Sequence, residues 1–300
     1  MNYELKYVAT IGFFDGVHRG HQFLIRHVME EAKKHDMASM VVTFDLHPRQ
    51  VLHQEYQPEL LTTLDMKKQL LEATGVDKVE VLHFDEKLAS LTAHDFMAQI
   101  LHDKLNVRCL VIGYDNRFGH NRSEGFDDYV RYGKELGIEV VHNPAFLLNG
   151  VKVSSSVVRS FLKEGEVEMA DLCLGRGYIL KGKVVSGYQE GRKIGFPTAN
   201  IDNSAYKQLI PKSGVYAVEV HIDDSDEWLH GMMDIGTRPT FGGSHVSLEV
   251  NIFDFNENIY GKDIEVKFIK RIRDERRFDS ATALVEQLRH DEKTIRNIIK

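Results

Sequence analysis

The chain has 300 residues, of which 42% are hydrophobic and 28% are charged, and its formal net charge at pH 7 is −7. This length favours two domains, and this composition excludes a disordered or fibrous protein. The acidic balance argues against nucleic acid as the main partner, because binding through counterion release needs a broad basic surface.

Cysteine usage and the N-terminus predict where the protein works. Cys109 and Cys173 are the only cysteines, so we expect no disulfide framework, no thiolate zinc site and a reducing compartment. The N-terminal segment lacks the basic and apolar regions of a signal peptide. No apolar stretch approaches the roughly 20 residues that cross a bilayer. The sequence therefore predicts a cytoplasmic protein without a membrane partner and leaves its oligomeric state open.

In chain order, the first half alternates short apolar runs with longer amphipathic ones. Strands are predicted at 7–12, 39–44, 79–84, 107–113 and 138–142, and helices at 64–75, 93–105, 155–164 and 166–173. Strands separated by helices of this length indicate a parallel sheet. Several of the strands are apolar throughout, as expected where helices cover both faces. The first half is therefore predicted to be an α/β domain.

The second half has a different pattern. After Gly175, the strand-like runs YILKGKVVSG, GVYAVEVHI, LEVNIFDF and IEVKFIKRI follow one another with no predicted helix between them. This pattern is typical of an antiparallel sheet closed into a small β-barrel. A terminal helix is predicted at 279–299, with Asp279 as its N-cap. The predicted domains are 1–174 and 175–300.

The turn after the first strand reads GFFDGVHRGH and ends at His21. Its glycines allow a ligand to approach the backbone, and the N-terminus of the next helix attracts phosphate through free N–H groups and its dipole. His18 and His21 lie three residues apart, so both can face one polyphosphate. A single histidine is more often a surface residue, but this spacing in this place is seldom accidental. We therefore predict an anion site.

This turn resembles the signature of the H-x-G-H nucleotidylyltransferases, in the F-D-G-x-H variant found in bacterial bifunctional riboflavin kinase/FAD synthetases. Three later stretches are similar to that family in the same order: VVTFDLHPRQVL (41–52), VIGYDNRFGHNRSEG (111–125) and VSSSVVRSFLKEGEVEMADLCLGRGY (153–178). The resemblance implies a Rossmann-like domain over 1–174. It also implies that this domain transfers AMP from ATP to FMN, forming FAD and pyrophosphate.

The resemblance also implies roles for individual residues. ATP and its phosphates are expected to contact His18 and His21, as the catalytic pair, together with Gly12, Phe13, Asp15, Gly20, Ser155, Ser156 and Arg159. FMN is expected to contact His47, Asp115, Asn116 and Arg117. Asn116 stands where the family has an aromatic residue, a departure that bears on flavin stacking.

A second candidate site lies in GRKIGFPTAN, at 191–200. Pro197 fixes the chain before Thr198 and Asn200, whose oxygen-bearing side chains point to one side of an extended segment. Such oxygens suit a magnesium ion and phosphates. Taken alone, the segment is more typical of an ordinary loop than of a binding site.

This segment resembles the G-F-P-T-A-N motif of riboflavin kinases, and stretches at 211–220, 234–243, 248–262 and 271–280 match that domain in order. The resemblance implies a riboflavin kinase domain over 175–300 in which Gly195, Thr198 and Asn200 bind ATP and the last two hold Mg²⁺. It implies that Glu249 is the catalytic base and that Arg276 and Phe278 contact flavin.

Strand periodicity bears on Glu249 independently. Leu248, Val250 and Ile252 put apolar side chains on one face, so Glu249 and Asn251 share the other face. That second face fits either solvent or a polar site.

The sequence thus predicts an enzyme that phosphorylates riboflavin to FMN and then adenylylates FMN to FAD, with riboflavin, FMN, FAD and ATP as its ligands. Two alternatives remain open: a riboflavin kinase with a vestigial nucleotidyltransferase domain, and a regulator that binds flavin or nucleotide without turnover. A third, transfer of AMP to another phosphate such as phosphopantetheine, is disfavoured by the riboflavin kinase half.

Overall fold

The computed structural model describes residues 5–52, 55, 57–187, 190–223, 225, 227–240 and 243–299. Backbone contacts divide the chain into two compact units, Met1–Ser155 and Ser156–Lys300. The domain boundary predicted at 174/175 stays a prediction. Among the described residues, no helix is long and apolar enough to cross a membrane.

The first unit alternates strands and helices as predicted. Its elements are β1 (Tyr7–Ile11), α1 (Arg19–His35), β2 (Ala38–Phe44), α2 (Pro48–Leu52), α3 (Leu64–Glu72), β3 (Lys78–Leu82), α4 (Glu86–Ala89), α5 (Ala93–Asp95), β4 (Val107–Gly113), α6 (Phe126–Leu136), β5 (Glu139–Asn143), β6 (Leu147–Leu148) and β7 (Val151–Lys152). A helix is present where one was predicted at 93–105, but only α5 is α-helical, and the chain continues as a π-helix over Phe96–Lys104.

The described strands of this unit form a five-stranded parallel sheet in the order β3-β2-β1-β4-β5. Alternate residues of β1 enter two separate hydrophobic clusters, Val8 on one face and Ala9 on the other. Helix α1 covers the first face, and the π-helix with α6 covers the second. The strand order reverses between β1 and β4, and ligands of such sheets bind at the carboxyl edge where this reversal occurs.

The second unit is a barrel with helices at each end of its sequence. Its elements are α7 (Ser155–Glu164), α8 (Val167–Leu174), β8 (Ile179–Val185), α9 (Glu190–Lys193), β9 (Ala199–Asp202), β10 (Gly214–Ile222), β11 (Leu229–Thr240), β12 (Gly243–Ile252), β13 (Asp263–Arg273) and α10 (Ala281–Ile298). In the part of the chain that the structure describes, six strands close in the order β10-β11-β12-β9-β8-β13.

The predicted antiparallel barrel is confirmed, with three differences. The sequence patterns identified four of its strands and missed β9 and β11. The short helix α9 lies between β8 and β9, where no helix was predicted. The predicted N-cap of the terminal helix is wrong: Ser280, not Asp279, is the N-cap, and its hydroxyl accepts the Ala283 N–H at 3.2 Å. Both residue types favour that position, so the sequence did not discriminate between them.

A buried ion pair joins α10 to the barrel. Arg273, at the end of β13, donates from Nε to Asp291 Oδ2 at 2.8 Å, and Asp291 is 1% exposed. The Gln287 amide donates to the other carboxylate oxygen at 2.6 Å. Both oxygens of this buried carboxylate are therefore hydrogen-bonded, which offsets the desolvation of its charge.

Asp291→Ala is expected to lower the free energy of unfolding of the barrel unit by about 3 kcal/mol, because it leaves the half-buried Arg273 guanidinium without its carboxylate partner. Urea unfolding followed by the fluorescence of Trp228, the one tryptophan of the chain, measures this change. Asp254→Ala is the matched control. It removes an exposed carboxylate that pairs with Arg296, which, like Asp291, lies on α10. Equal urea midpoints for the two variants would contradict the prediction.

Candidate active sites

The loop between β1 and α1 is held in a strained conformation. Phe14 and Val17 have φ of 55° and 39°, in the left-handed region that side chains rarely adopt, and Gly16 between them has φ of 80°. Each such non-glycine residue costs about 1–3 kcal/mol, and strain of this kind collects at functional sites. The loop leaves β1 at the point where the strand order of the sheet reverses.

Asp15 fixes this loop from inside. Its buried carboxylate accepts the backbone N–H groups of Leu61 and Thr62, at 3.0–3.2 Å. Its backbone carbonyl accepts the Ser155 hydroxyl at 2.9 Å. Asp15, predicted to contact ATP, thus also anchors the segment before α3.

His18 and His21 are stacked at the N-terminus of α1. Their ring centroids lie 3.6 Å apart with an interplanar angle of 18°. His18 is the N-cap, and its Nδ1 accepts the His21 backbone N–H at 3.2 Å. In a neutral His18 the ring proton therefore lies on Nε2, so Nε2 can donate to a phosphate oxygen. The sequence prediction that the two rings share one face is matched by this geometry.

The environment keeps His21 neutral. Burial lowers the pKa of His21 well below its usual value, and nearby His18 and Lys67 lower it further. Its Nδ1 is buried and has no hydrogen-bond partner among the described residues. A buried polar atom without a partner costs about 1–3 kcal/mol, so a ligand that bonds to this atom gains that free energy on binding.

Gly20 lies where two segments approach each other closely. A Cβ atom there would lie 3.1 Å from the His18 ring and 3.1 Å from the Val153 carbonyl oxygen. The absent side chain therefore makes room for the imidazole and for the segment before α7. Gly12 directly follows β1 and donates its backbone N–H to the Val42 carbonyl at 3.1 Å.

The Phe13 ring contacts a histidine ring and a lysine ammonium. Its ring meets the His47 ring edge-on at 4.7 Å between centroids, and the Lys67 ammonium lies 3.9 Å from its centroid. The structure thus brings together Phe13, predicted to contact ATP, and His47, predicted to contact flavin. Lys67 was not singled out in the sequence, because a lysine in an amphipathic helix is usually a solvated residue.

The loop after β4 contains the other predicted flavin contacts. The Asn116 side-chain amide donates to the Ile11 carbonyl, which ties this loop to the end of β1. Asp115 is exposed and pairs with Lys152 of β7 at 2.7 Å. Arg117 is exposed, and its backbone carbonyl accepts Arg122 Nε at 3.0 Å. Asn116 therefore has a clear structural role, and the predicted contacts of the three residues with flavin stay predictions.

Ser155 begins α7, and Ser156 and Arg159 follow on the same helix. Ser156 is exposed and Arg159 is half-buried. Their predicted contacts with ATP phosphates stay predictions.

In the barrel unit, Glu249 lies at the junction of two cavities. The Thr198 hydroxyl donates to Glu249 Oε2 at 3.2 Å, and Thr198 lines both cavities. The first, of about 510 Å³, is lined mainly by apolar residues, together with Arg192 and polar residues of the segment after β12. The second, of about 500 Å³, is lined by Glu249, Asn251 and many apolar side chains. Leu248, Val250 and Ile252 are buried, whereas Glu249 is half-buried and lines the second cavity. Its role as the catalytic base stays a prediction.

Asn200 is the cross-strand neighbour of Glu249. The two residues are directly paired between β9 and β12, so their side chains project from the same face of the sheet. A Cβ atom at position 187 would overlap the Asn200 amide, and Gly187 makes room for it. Gly195 lies in the exposed turn before β9 with φ of 84°. Asn251 donates to the Pro197 carbonyl at 2.7 Å and so fixes this turn.

Arg276 and Phe278 both line the second cavity, as expected for flavin contacts. The Arg276 guanidinium carbon lies 4.9 Å from the Phe278 ring centroid, and its Nη2 donates to Gln287 of α10. Asp234, Arg273 and Glu275 also line this cavity and were not predicted. Asp234 and Arg273 lie on strands and Glu275 in a run of mixed charges, and none of these settings distinguishes a site residue from a solvated one.

Comparison with known proteins decides the family. Residues 2–157 match the FAD synthetase family, and residues 174–299 match the riboflavin kinase family. A bifunctional riboflavin kinase/FMN adenylyltransferase of Escherichia coli is 39% identical over 289 residues, which cover 96% of this chain and 91% of that protein. The chain belongs to the bifunctional riboflavin kinase/FMN adenylyltransferase family.

Other members of this family are similarly close. The riboflavin kinase/FMN adenylyltransferase of Haemophilus influenzae is 39% identical, with 95% of this chain and 92% of that protein covered. The Bacillus subtilis enzyme is 37% identical, with 96% and 91% covered. A solved Streptococcus pneumoniae structure, described as a macrolide-efflux protein, superposes with a TM-score of 0.88 at 34% identity and covers 99% of this chain and 95% of its own. The predicted family, bifunctional enzyme class and fold are confirmed.

Proposed function

We propose that this riboflavin kinase/FMN adenylyltransferase uses ATP twice, to phosphorylate riboflavin in the barrel unit and to adenylylate the resulting FMN in the first unit. The observation that carries the proposal is that each unit has its own built site. One is the stacked His18–His21 pair at the N-terminus of α1, and the other is Glu249 between two cavities.

In the kinase step, Glu249 is the general base. It accepts the proton of the ribityl 5′-hydroxyl as that oxygen attacks the γ-phosphorus of ATP and ADP leaves. The second cavity, where Phe278 and Leu284 lie beside Glu249, suits the flat flavin ring, and the first, which includes Arg192, is proposed to take the nucleotide. Thr198 lines both, so the phosphoryl group is transferred beside it.

Magnesium fits the residues proposed to hold it. Thr198 and Asn200 offer a hydroxyl and an amide oxygen on the face that carries Glu249, and such hard oxygen ligands suit Mg²⁺. A bound Mg²⁺ neutralises phosphate charge. Gly195 allows the turn before β9 to approach the phosphates closely.

In the adenylyl step, an oxygen of the FMN phosphate attacks the α-phosphorus of ATP, and the bond to the bridging oxygen breaks as pyrophosphate leaves. His18 and His21 donate hydrogen bonds to the phosphates, supported by the positive end of the α1 dipole. Ser155, Ser156 and Arg159 supply further donors. No covalent intermediate is needed, because alignment and charge stabilisation carry the rate.

The flavin of FMN is proposed to lie near His47 at the carboxyl edge of the sheet, beside the loop that contains Asp115, Asn116 and Arg117. Asn116 replaces an aromatic residue of the family, but its amide ties that loop to the end of β1. The loop is therefore held in place without that aromatic ring, which supports retention of adenylylation. Both cysteines are buried and neither forms a disulfide, which suits the cytoplasmic location proposed for this enzyme.

A time course tests the proposed function. The purified protein is incubated with riboflavin, ATP and Mg²⁺, and the flavins are separated chromatographically. We expect FMN to rise first and FAD to follow. FMN without FAD would favour the kinase with a vestigial first unit. Tight flavin binding without any product would favour a regulator.

A further inference from the structure

Lys67 of α3 is a buried cation next to the proposed adenylyl-transfer site. Its side chain is 3% exposed, although lysine is among the residues least often buried. The ammonium donates one hydrogen bond, to the Phe44 carbonyl at the end of β2, over 2.7 Å. It also lies 3.9 Å from the centroid of the Phe13 ring, well within the range of a cation–π interaction.

Burying this charge is unfavourable, and the surrounding carboxylates offset only part of that cost. Burial lowers the pKa of Lys67 to about 8, while the charges of Asp15 and Asp45 raise it. Both carboxylates also accept backbone N–H groups: Asp15 from Leu61 and Thr62, and Asp45 from Leu46 and Phe84. The ammonium therefore places one positive charge in this site, beside two carboxylates that are also hydrogen-bonded by backbone N–H groups.

That charge reaches the residues proposed to bind substrate. Lys67 is one of the causes of the lowered pKa of His21, after the burial of that ring and the charge of His18. Lys67 also contacts the Phe13 ring, which meets the His47 ring edge-on with 4.7 Å between the ring centroids. Lys67 thus acts on both the phosphate end and the flavin end of the site.

We propose that Lys67 is a positioning residue for adenylyl transfer, whose ammonium fixes the Phe13 ring in the loop after β1 and supplies buried positive charge to the phosphate site. The inference rests on the proposed adenylylation of FMN. Lys67 makes and breaks no covalent bond in it. ATP and FMN bring several negative charges, and a preorganised cation in a water-poor site stabilises them more than one in solvent.

The protonation state of Lys67 gives the proposal a distinctive readout. The titratable groups that interact with it are Asp15, Asp45 and His21, with His47 across the Phe13 ring. The protonated amine is the active form, so kcat/KM for FAD formation falls as the pH rises through about 8, the pKa in the free enzyme. A residue with only a packing role would not produce this fall in kcat/KM at alkaline pH.

The test compares Lys67→Met with Lys68→Met. Lys68 is the next residue of α3, its side chain is 55% exposed, and its ammonium lies 3.9 Å from Glu72, so the control removes the same charge from the same helix. FAD formation from FMN and ATP is measured between pH 6.5 and 9.5, and FMN formation from riboflavin by the same protein reports on folding.

Lys67→Met is expected to lower kcat/KM for FAD formation at pH 7 by about 100-fold, to remove the alkaline limb and to leave FMN formation unchanged. Lys68→Met is expected to behave as the parent. The parent rate in Lys67→Met, or the same alkaline limb, would overturn the proposal. If Lys67→Met does not fold, the parent decides: a profile that stays flat through pH 8 overturns it. A parent that makes no FAD at all would instead refute the proposed function.

Discussion

His21→Ala is expected to abolish FAD formation and to leave FMN formation at the parent rate. His21 is stacked on His18 and neutral, and its buried Nδ1 has no hydrogen-bond partner among the described residues. Removing one preorganised donor from a site of developing charge costs about 100- to 1000-fold in kcat, or about 2.7–4 kcal/mol. FAD formation is measured from FMN and ATP, and FMN formation from riboflavin and ATP with the same protein.

Two controls separate chemistry from folding. His35→Ala removes a half-buried imidazole from the last turn of the same helix and is expected to retain both activities. His21→Gln keeps a hydrogen-bonding side chain of similar size, and we expect part of the FAD activity to return. Equal loss of both activities in His21→Ala, with the protein still folded, would count against two separate sites.

Glu249→Gln is expected to abolish FMN formation from riboflavin and to leave FAD formation from added FMN unchanged. The amide keeps the size of the side chain and can still accept a hydrogen bond from Thr198, but it cannot take up the proton of the 5′-hydroxyl. A positioned general base contributes about 100- to 10,000-fold. The measurement is the initial rate of FMN formation at saturating ATP and riboflavin.

Glu265→Gln is the matched control for this variant. Glu265 lies on β13 of the same barrel and pairs with Lys181 at 2.6 Å, so the substitution makes the same chemical change away from the cavities. We expect parent rates for both reactions. If Glu249→Gln still phosphorylates riboflavin at the rate of Glu265→Gln, Glu249 is not the base.

The sequence predicted the architecture well where periodicity is strong. The apolar runs at 39–44 and 107–113 are the central strands β2 and β4, because a strand covered on both faces has no polar side. It failed at β11, whose sequence LHGMMDIGTRPT contains two glycines, a proline and few β-branched residues. That strand is held by its pairing with β10 and β12, which no local pattern reveals.

The candidate sites show the same limit. His18, His21, Thr198 and Glu249 could be found because a motif or a resemblance marks each of them. Lys67 could not, since only the folded chain shows that its ammonium is buried against Phe13. From the sequence alone, Asn116 looks like a substitution that damages the flavin site. In the structure, its amide donates a hydrogen bond to the end of β1.

The central claim is that two separate sites act in sequence, and mixing the two variants tests it most directly. His21→Ala and Glu249→Gln are incubated with riboflavin, ATP and Mg²⁺, first alone and then together, and FAD is measured. We expect FMN but no FAD from His21→Ala alone, neither product from Glu249→Gln alone, and FAD from the mixture. A mixture that accumulates FMN and forms no FAD would contradict the account.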